Sequence, residues 1–228
     1  MGAPMWKRSL DLFLILLLSP AAVLIGGVVS LIVKCGSRGP VIFRQPRVGQ
    51  GGREFMCFKF RTMLVGAETE SHRNHTQQLI QSQVPMTKLD ARRDPRLVPF
   101  GAALRATGLD ELPQLLNVVR GEMSLVGPRP CIRYEYEVYS PEQRHRLDAV
   151  PGLTGLWQVS GKNRTTFEEM VRLDIEYARR KSLWLDLTII LKTLPALARQ
   201  CWDIRVAQRT NTVSGSAEIG KSPESYRL

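Results

Sequence analysis

An uncharged apolar run near the N-terminus constrains this chain more than any other feature. Residues 12–33 read LFLILLLSPAAVLIGGVVSLIV, and about 20 apolar residues suffice to cross the hydrocarbon core of a bilayer. Ser19 and Pro20 lie within the run, and proline removes one backbone hydrogen bond and disfavours the α conformation of the preceding residue. No small-residue cleavage site follows, so we expect a retained membrane anchor rather than a signal peptide.

The charges that flank the run do not decide how it sits in the membrane. Lys7 and Arg8 precede it and Lys34 and Arg38 follow it, so the positive-inside rule finds little asymmetry. One arrangement is a kinked transmembrane span. The other is a re-entrant hairpin that bends at Ser19-Pro20, provided that Ser19 or neighbouring protein satisfies the freed carbonyls. The residues alone leave both arrangements open.

The net charge indicates an anionic partner. The 228 residues include 32 Lys and Arg against 21 Asp and Glu, a formal charge of +11. Such an excess attracts nucleic acid, an anionic membrane surface or phosphorylated substrates. Because neither zinc-finger spacing nor an RNP-like aromatic motif is present, we expect no nucleic-acid partner. The cysteines form no C-x-x-C pair, which is typical of reduced thiols in a cytoplasmic protein: Cys35, Cys57, Cys131 and Cys201.

The remainder of the chain predicts one hairpin followed by helices. Two β-prone runs, residues 41–45 and 55–60, flank a glycine-rich turn at residues 48–52 that lacks the phosphate-loop pattern. Apolar spacing predicts helices at 100–105, from 110 to a stop at Gly121, at 167–181 and at 183–200. The last of these could lie in the core or in the membrane interface. We expect His72 and His75 to be surface residues, and the tail from residue 207 to be disordered.

Two adjacent carboxylates, Asp110 and Glu111, stand at an expected helix start. A helix N-terminus favours an ionised carboxylate and equally a bound phosphate, although Asp110 could simply cap the helix. Three arginines, Arg105, Arg120 and Arg129, lie within about twenty residues of this pair, and Lys59 and Arg61 add positive charge upstream. This combination predicts a site for a charged phosphate with a divalent metal between like charges.

Seven short motifs occur together in this chain. They are KRSLD at 7–11, KFRTM at 59–63, DPR at 94–96, LDELPQ at 109–114, MSLVGPRP at 123–130, PGLTGLWQVSG at 151–161 and SLWLDL at 182–187. The set resembles the bacterial sugar transferase family, the monotopic polyprenyl-phosphate phosphoglycosyl transferases, over nearly the whole chain. Two positions depart from the family pattern: Gly108 stands where serine is frequent, and Leu116 where an aromatic residue is common.

The resemblance implies an architecture. The fold would be α+β and mostly helical, a small membrane-associated catalytic domain with a re-entrant N-terminal helix, broken at Ser19 and Pro20, and a short β-hairpin. The expected divisions are residues 1–38 for the membrane helix and its flanks, 39–200 for the cytoplasmic catalytic domain with interfacial helices, and 201–228 for the tail. The protein would contact membrane lipids at the cytoplasmic face of the bacterial inner membrane, and a homodimer is left open.

The resemblance also implies a reaction. Asp110 would attack the β-phosphate of a UDP-sugar and release UMP, and undecaprenyl phosphate would then accept the sugar-phosphate. Glu111 would stand beside the nucleophile, Mg²⁺ would be the cofactor with Asp110 and Glu111 as its ligands, and three cations would bind phosphate: Lys59, Arg105 and Arg129. The sugar-nucleotide pocket would include Gln158, Asn163 and Arg164. Glucose or galactose is the expected sugar, and the product would enter exopolysaccharide, capsule or O-antigen synthesis.

Two other functions are compatible with the residues taken alone. The first is a membrane-bound glycosyltransferase that transfers no phosphate and releases UDP. The second is a non-enzymatic, membrane-anchored protein that recruits anionic partners through its basic surface. The nucleotide product distinguishes the first from a phosphoglycosyl transferase, and the effect of Asp110→Asn distinguishes the second.

Overall fold

The computed structural model describes residues 2–64, 78–80, 84–85, 96–161, 165–199 and 202. Within these ranges the chain is mostly helical, with two small sheets and one long apolar helix at the N-terminus. The prediction of a mostly helical α+β protein is therefore confirmed. The expectations for His72, His75, Asn163, Arg164 and the tail from residue 207 lie outside the described residues.

Helix α1 (Met5–Gly36) contains the apolar run and continues through Pro20, so the break expected at Ser19 and Pro20 does not interrupt the helix. In an α-helix, an N–H at position 20 would donate to the carbonyl of Leu16, and proline has no N–H. The Ser19 hydroxyl donates to that carbonyl instead, at 2.9 Å. The serine thus satisfies the oxygen that the proline leaves free, which matters because an unsatisfied carbonyl in lipid costs several kcal/mol.

Both ends of α1 are buried against the rest of the protein, whereas most of its middle is exposed. Lys7 and Asp11 are buried at one end, and Val29 and Val33 are buried at the other. Val29 and Val33 join a core cluster with Phe60. Most of the large apolar side chains between the two ends are exposed: Leu12, Phe13, Leu16, Leu17, Leu18, Val23, Leu24, Ile25 and Val28. By length and composition, α1 is apolar enough to cross a membrane.

The predicted hairpin is present and is longer than expected. Strand β1 (Ile42–Val48) pairs antiparallel with β2 (Glu54–Phe60). Residues directly opposite each other share a face of the hairpin. We call the face that carries three of these pairs the inner face: Phe43 with Lys59, Gln45 with Cys57, and Arg47 with Phe55. The opposite face carries Arg44 with Phe58 and Ile42 with Phe60.

The turn after the hairpin's last strand is fixed to the exit of α1. Arg61 is 5% exposed, and its guanidinium donates to the carbonyls of Ser37, Arg38 and Pro40 at 2.7–2.9 Å. These three residues follow the end of α1. A buried guanidinium with several carbonyl acceptors holds the chain in one path, so α1 and the hairpin are rigidly connected.

The remaining elements are short. They are α2 (Gly101–Thr107), a 3-10 helix (Leu109–Gln114), α3 (Leu115–Arg120), β3 (Ser124–Val126), α4 (Arg133–Glu137), α5 (Pro141–Arg144), a second 3-10 helix (His145–Asp148), β4 (Gly152–Thr154), α6 (Leu156–Val159), α7 (Phe167–Arg180) and α8 (residues 183–199). Strands β3 and β4 pair in parallel. Helix α3 ends at Gly121, whose φ of +81° is left-handed, as predicted.

One helix prediction needs correction. A single helix was expected from Asp110 to Gly121, but residues 109–114 form a 3-10 helix and only Leu115–Arg120 is α-helical. Pro113 gives the physical reason, because its ring crowds the carbonyl four residues earlier and it has no N–H to donate. The tighter helix changes which side chains share a face, and this affects the site.

A buried network joins α1 to three other elements. The Lys7 ammonium, 1% exposed, donates to the Tyr177 hydroxyl at 2.9 Å and to Asp186 Oδ2 at 2.5 Å. One turn later, Asp11 accepts hydrogen bonds from the Ser124 hydroxyl and the Leu125 N–H, both at 3.0 Å. The N-terminal end of α1 is therefore held by α7, α8 and β3.

We expect Lys7→Met to lower the free energy of unfolding by about 3–5 kcal/mol, because it leaves the Asp186 carboxylate buried without its cation. Thermal unfolding of the detergent-solubilised protein measures the change. Arg180→Met is the matched control, since it removes an exposed pair with Glu176 and should cost less than about 1 kcal/mol. Equal shifts for the two variants would contradict the assignment.

Candidate active site

The 3-10 helix positions the two carboxylates differently. Asp110 and Glu111 lie in its first turn, and the N-cap position is Gly108, with φ of +74° and no side-chain cap hydrogen bond. Asp110 is therefore not the helix cap. Side chains three residues apart overlie one another in a 3-10 helix, and accordingly Glu111 and Gln114 both face one cleft. Asp110 is only 8% exposed and does not line that cleft.

The cleft brings together three of the predicted site residues. Its lining comprises Arg47, Cys57, Lys59, Glu111, Gln114, Arg129, Pro130, Gly152 and Leu153. The Lys59 ammonium lies 2.8 Å from Glu111 Oε1, and Arg129 Nη1 lies 3.7 Å from the same oxygen. One carboxylate oxygen is thus shared by two cations that come from distant parts of the chain.

The turn that carries Arg129 is held against β4. The Gly127 N–H donates to the Thr154 carbonyl and the Gly152 N–H to the Pro128 carbonyl, both at 2.8 Å. A Cβ on Gly127 would lie 2.2 Å from the Val150 carbonyl oxygen, so only glycine permits this backbone approach. The close packing fixes where the Arg129 side chain begins.

A buried ion pair also holds the turn that carries Arg129. Arg146 is 1% exposed and pairs with Asp174 at 2.5 Å. Its guanidinium also donates to the Tyr139 hydroxyl at 2.8 Å and to the carbonyl of Arg129 at 3.2 Å. Arg146 therefore connects α7 to the backbone of a cleft residue, and it holds that backbone through a charge-assisted hydrogen bond.

Six of the nine cleft residues were not among the predicted site residues, and two of these six lie on the hairpin. Arg47 and Cys57 both lie on the inner face of the hairpin with Lys59. The sequence prediction ended the first strand at residue 45, so it did not place Arg47 on a strand at all. If the predicted first strand had been extended to residue 47, the alternation of side chains would have placed Arg47 on the same face of the hairpin as Lys59. Burial raises the pKa of the Cys57 thiol, which keeps the thiol protonated and chemically inert.

The other predicted residues that the structure describes lie outside the cleft lining. Arg105 is half-buried in the last turn of α2, which packs on the 3-10 helix of the carboxylates. Gln158, on α6, donates to the carbonyl of Leu153 at 3.3 Å, so it contacts the backbone of a residue that lines the cleft. Ser19 and Pro20 lie in the middle of α1, away from the cleft.

The carboxylates suit a metal ion only in combination with a ligand. Within the described part of the chain, no group of three or more His, Cys, Asp and Glu side chains is placed to hold a metal. Mg²⁺ in phosphate-transferring sites is commonly bound by one or two carboxylates together with substrate phosphates. Of the two carboxylates predicted to bind Mg²⁺, Glu111 lines the cleft and Asp110 does not, so the cleft offers one carboxylate, and Mg²⁺ fits there only if phosphate oxygens complete the coordination.

Comparison with known proteins identifies the family. Residues 2–200 match the bacterial sugar transferase family. The chain is 41% identical over 199 residues to the exopolysaccharide production protein ExoY of Rhizobium meliloti, covering 85% of each protein. It is 42% identical over 199 residues to the UDP-glucose:undecaprenyl-phosphate glucose-1-phosphate transferase of Caulobacter vibrioides, covering 84% of this chain and 69% of the relative.

A third relative is considerably longer. The galactosyl transferase CpsE of Streptococcus agalactiae is 46% identical over 157 residues, which are 68% of this chain. The matched part is 34% of the streptococcal protein, so the chain spans about a third of that relative's length. The match over residues 2–200 shows that this chain belongs to the bacterial sugar transferase family and is therefore a transferase.

Proposed function

We propose that this protein transfers a sugar-1-phosphate from a UDP-sugar to undecaprenyl phosphate and releases UMP. The observation that carries the proposal is the cleft in which Lys59 and Arg129 flank Glu111, next to Asp110 in the chain. Cations placed around carboxylates allow an anionic nucleophile to approach a diphosphate. The names of the relatives, which include glucose-1-phosphate transfer to undecaprenyl phosphate, agree with this reaction.

The first step forms a covalent intermediate. The family resemblance assigns the nucleophile to Asp110, and because Asp110 does not line the cleft in this structure, its side chain must turn toward the diphosphate. An Asp110 carboxylate oxygen then attacks the β-phosphorus of the UDP-sugar and forms an O–P bond. The bond from that phosphorus to the oxygen that bridges the two phosphates breaks, and UMP leaves with the bridging oxygen. The product is an aspartyl phosphate that carries the sugar. Such an acyl phosphate is reactive, and it divides one displacement into two easier ones.

The second step regenerates the enzyme. A phosphate oxygen of undecaprenyl phosphate attacks the same phosphorus, and the bond from phosphorus to Asp110 breaks. The carboxylate is restored and undecaprenyl-diphospho-sugar is released. Neither step requires a proton to be transferred. Lys59 and Arg129 neutralise the oxygens that carry the developing charge.

Glu111 and Asp110 would hold Mg²⁺ together with the diphosphate. When bound, the metal would neutralise phosphate oxygens and lower the repulsion between the carboxylate and the diphosphate. Arg105, at the end of the neighbouring helix, and the segment of Gln158, Asn163 and Arg164 would contribute to binding the nucleotide and the sugar. Each of these four assignments rests on the family resemblance.

We expect Asp110→Asn to abolish the covalent adduct. Wild-type protein incubated with UDP-glucose or UDP-galactose, without lipid acceptor, should gain the mass of a hexose phosphate. Asp110→Asn should gain none, because an amide cannot serve as the nucleophile, whereas Glu111→Gln should still form some adduct slowly. Intact-mass spectrometry with peptide mapping measures this, and an adduct located on Glu111 would refute the assignment.

We expect UMP and not UDP as the nucleotide product. Purified protein with undecaprenyl phosphate and a panel of UDP-sugars, read by chromatography of the nucleotides, provides the measurement. Turnover should be fastest with UDP-glucose or UDP-galactose, should stop with EDTA and should return when Mg²⁺ is added. Release of UDP would instead indicate a glycosyltransferase, and absence of turnover with every sugar would favour a binding protein.

We further propose that α1 is re-entrant, with both ends at the cytoplasmic face of the inner membrane. Residues 7 and 33 of a straight helix lie about 39 Å apart, farther than the roughly 30 Å of a hydrocarbon core. Lys7 and Val33 nevertheless both pack against the folded domain. A straight span would require that domain, with its buried charges, to pass through the lipid. Entry and return on one side avoid this cost.

We expect both ends of α1 to react with a thiol reagent from the cytoplasmic side only. Cys35 is exposed near one end, and Gly2→Cys, in a Cys35→Ser background, reports the other. A membrane-impermeant maleimide should label neither position in spheroplasts and both in inverted vesicles. Cys57 and Cys131 are buried, and Cys201→Ser removes the remaining thiol. Labelling of the two ends from opposite sides would establish a transmembrane span.

A further inference from the structure

Arg47 is a buried cation that the reaction described above does not use. Its side chain extends from the inner face of the hairpin into the cleft, where Lys59 and Arg129 also lie. The residue is 8% exposed. Among the described residues, no carboxylate forms an ion pair with it, in contrast to Arg146, which pairs with Asp174. A buried charge without a counter-ion is costly, so its presence needs an explanation.

Neighbouring groups hold the Arg47 guanidinium in one orientation. Its Nε and Nη2 both donate to Gln45 Oε1, at 3.2 and 2.8 Å. Its Nη1 donates to the carbonyl of Pro130 at 3.1 Å. Gln45 lies two residues earlier on the same face of β1, so the strand itself sets this geometry. The acceptors are neutral, and the positive charge is therefore oriented and not cancelled.

The same geometry leaves hydrogen-bonding capacity unused. A guanidinium carries five N–H groups, and the hydrogen bonds in the described part of the chain use three of them. The unused two are on Nη1 and Nη2. Burial and the nearby Arg129 lower the pKa of Arg47, and Glu135 opposes them more weakly. These two arginines therefore repel each other unless an anion lies between or beside them.

We propose that Arg47, oriented by Gln45, binds a phosphoryl oxygen of the substrate in the cleft. This inference rests on the proposed function and extends it, because it adds a binding residue that the hairpin supplies. The phosphate could belong to the nucleotide diphosphate or to the lipid phosphate, and both present the same chemistry to a guanidinium. Two N–H groups in one plane match two oxygens of a phosphate.

Gln45→Glu tests the proposal with little change in shape. The introduced carboxylate can accept the same hydrogen bonds from Arg47, but it cancels the charge that the phosphate requires. We expect at least about a tenfold rise in the KM of the substrate whose phosphate Arg47 binds. Arg47→Gln should have the same effect. Arg47→Lys should have a partial effect, because lysine keeps the positive charge but lacks the coplanar pair of N–H donors.

Arg44→Gln is the matched control. Arg44 lies on the opposite face of the same strand, over the ring of Phe58 at 5.8 Å, and does not line the cleft. Its loss should change both KM values less than about twofold. Thermal unfolding of each variant establishes that the hairpin remains folded. If Arg47→Gln fails to fold, Gln45→Glu decides the question by itself.

The KM values of the two substrates show whether Arg47 binds the phosphate of the UDP-sugar or that of the lipid. A rise in the KM of the UDP-sugar, with slower adduct formation in the absence of lipid, assigns Arg47 to the diphosphate. A rise only in the KM of undecaprenyl phosphate assigns it to the lipid. Folded Gln45→Glu protein with both KM values within twofold of wild type would overturn the inference.

Pyrophosphate binding separates failure of this inference from failure of the proposed function. Isothermal titration calorimetry should show that wild-type protein binds inorganic pyrophosphate and that Gln45→Glu binds it at least about tenfold more weakly. This result is independent of turnover. If wild-type protein binds pyrophosphate but transfers no sugar, the proposed function is wrong while the phosphate site at Arg47 stands. If wild type and Gln45→Glu bind pyrophosphate with equal affinity, the phosphate site at Arg47 is wrong.

Discussion

The buried ammonium of Lys7 determines how the long apolar helix α1 and the folded domain fit together. It donates to Tyr177 on α7 and to Asp186 on α8, so one charge joins α1 to two helices that lie 170 or more residues later in the sequence. A lysine in such a place is stable only because a carboxylate and a hydroxyl replace its water. Asp11 adds two hydrogen bonds to β3 one turn later. The exposed apolar run begins immediately after these contacts.

The second fixed point lies where α1 ends. Val29 and Val33 pack against Phe60 at the end of the hairpin, and Arg61 ties the chain that leaves the helix to the same strand end. These contacts fix the position of the hairpin, whose inner face carries Lys59 and Arg47, relative to α1. A cleft near the exposed apolar segment suits two substrates of which one is soluble and the other is carried in lipid.

Local sequence signals predicted the elements well and the site incompletely. The glycine-rich turn identified the hairpin, Gly121 marked the end of a helix, and the apolar run gave the long N-terminal helix. Pro113 altered the element in which the carboxylates lie, because a 3-10 helix replaced the expected first α-helical turn. Consequently Glu111 and not Asp110 faces the cleft. Ser19 satisfies the Leu16 carbonyl as the sequence suggested, since that contact involves neighbours in one helix.

The sequence by itself determined the long apolar N-terminal helix, the helix and strand signals and, through its resemblance to a family, the residues proposed to carry the chemistry. Only the tertiary structure decided that Lys59 and Arg129 share one oxygen of Glu111, that Arg47 joins them, and that both ends of α1 return to one domain. The physical reason is distance along the chain. Periodicity and capping reflect contacts within a few residues, whereas the cleft and the Lys7 network join side chains from separate elements, whose approach depends on the packing of the whole fold.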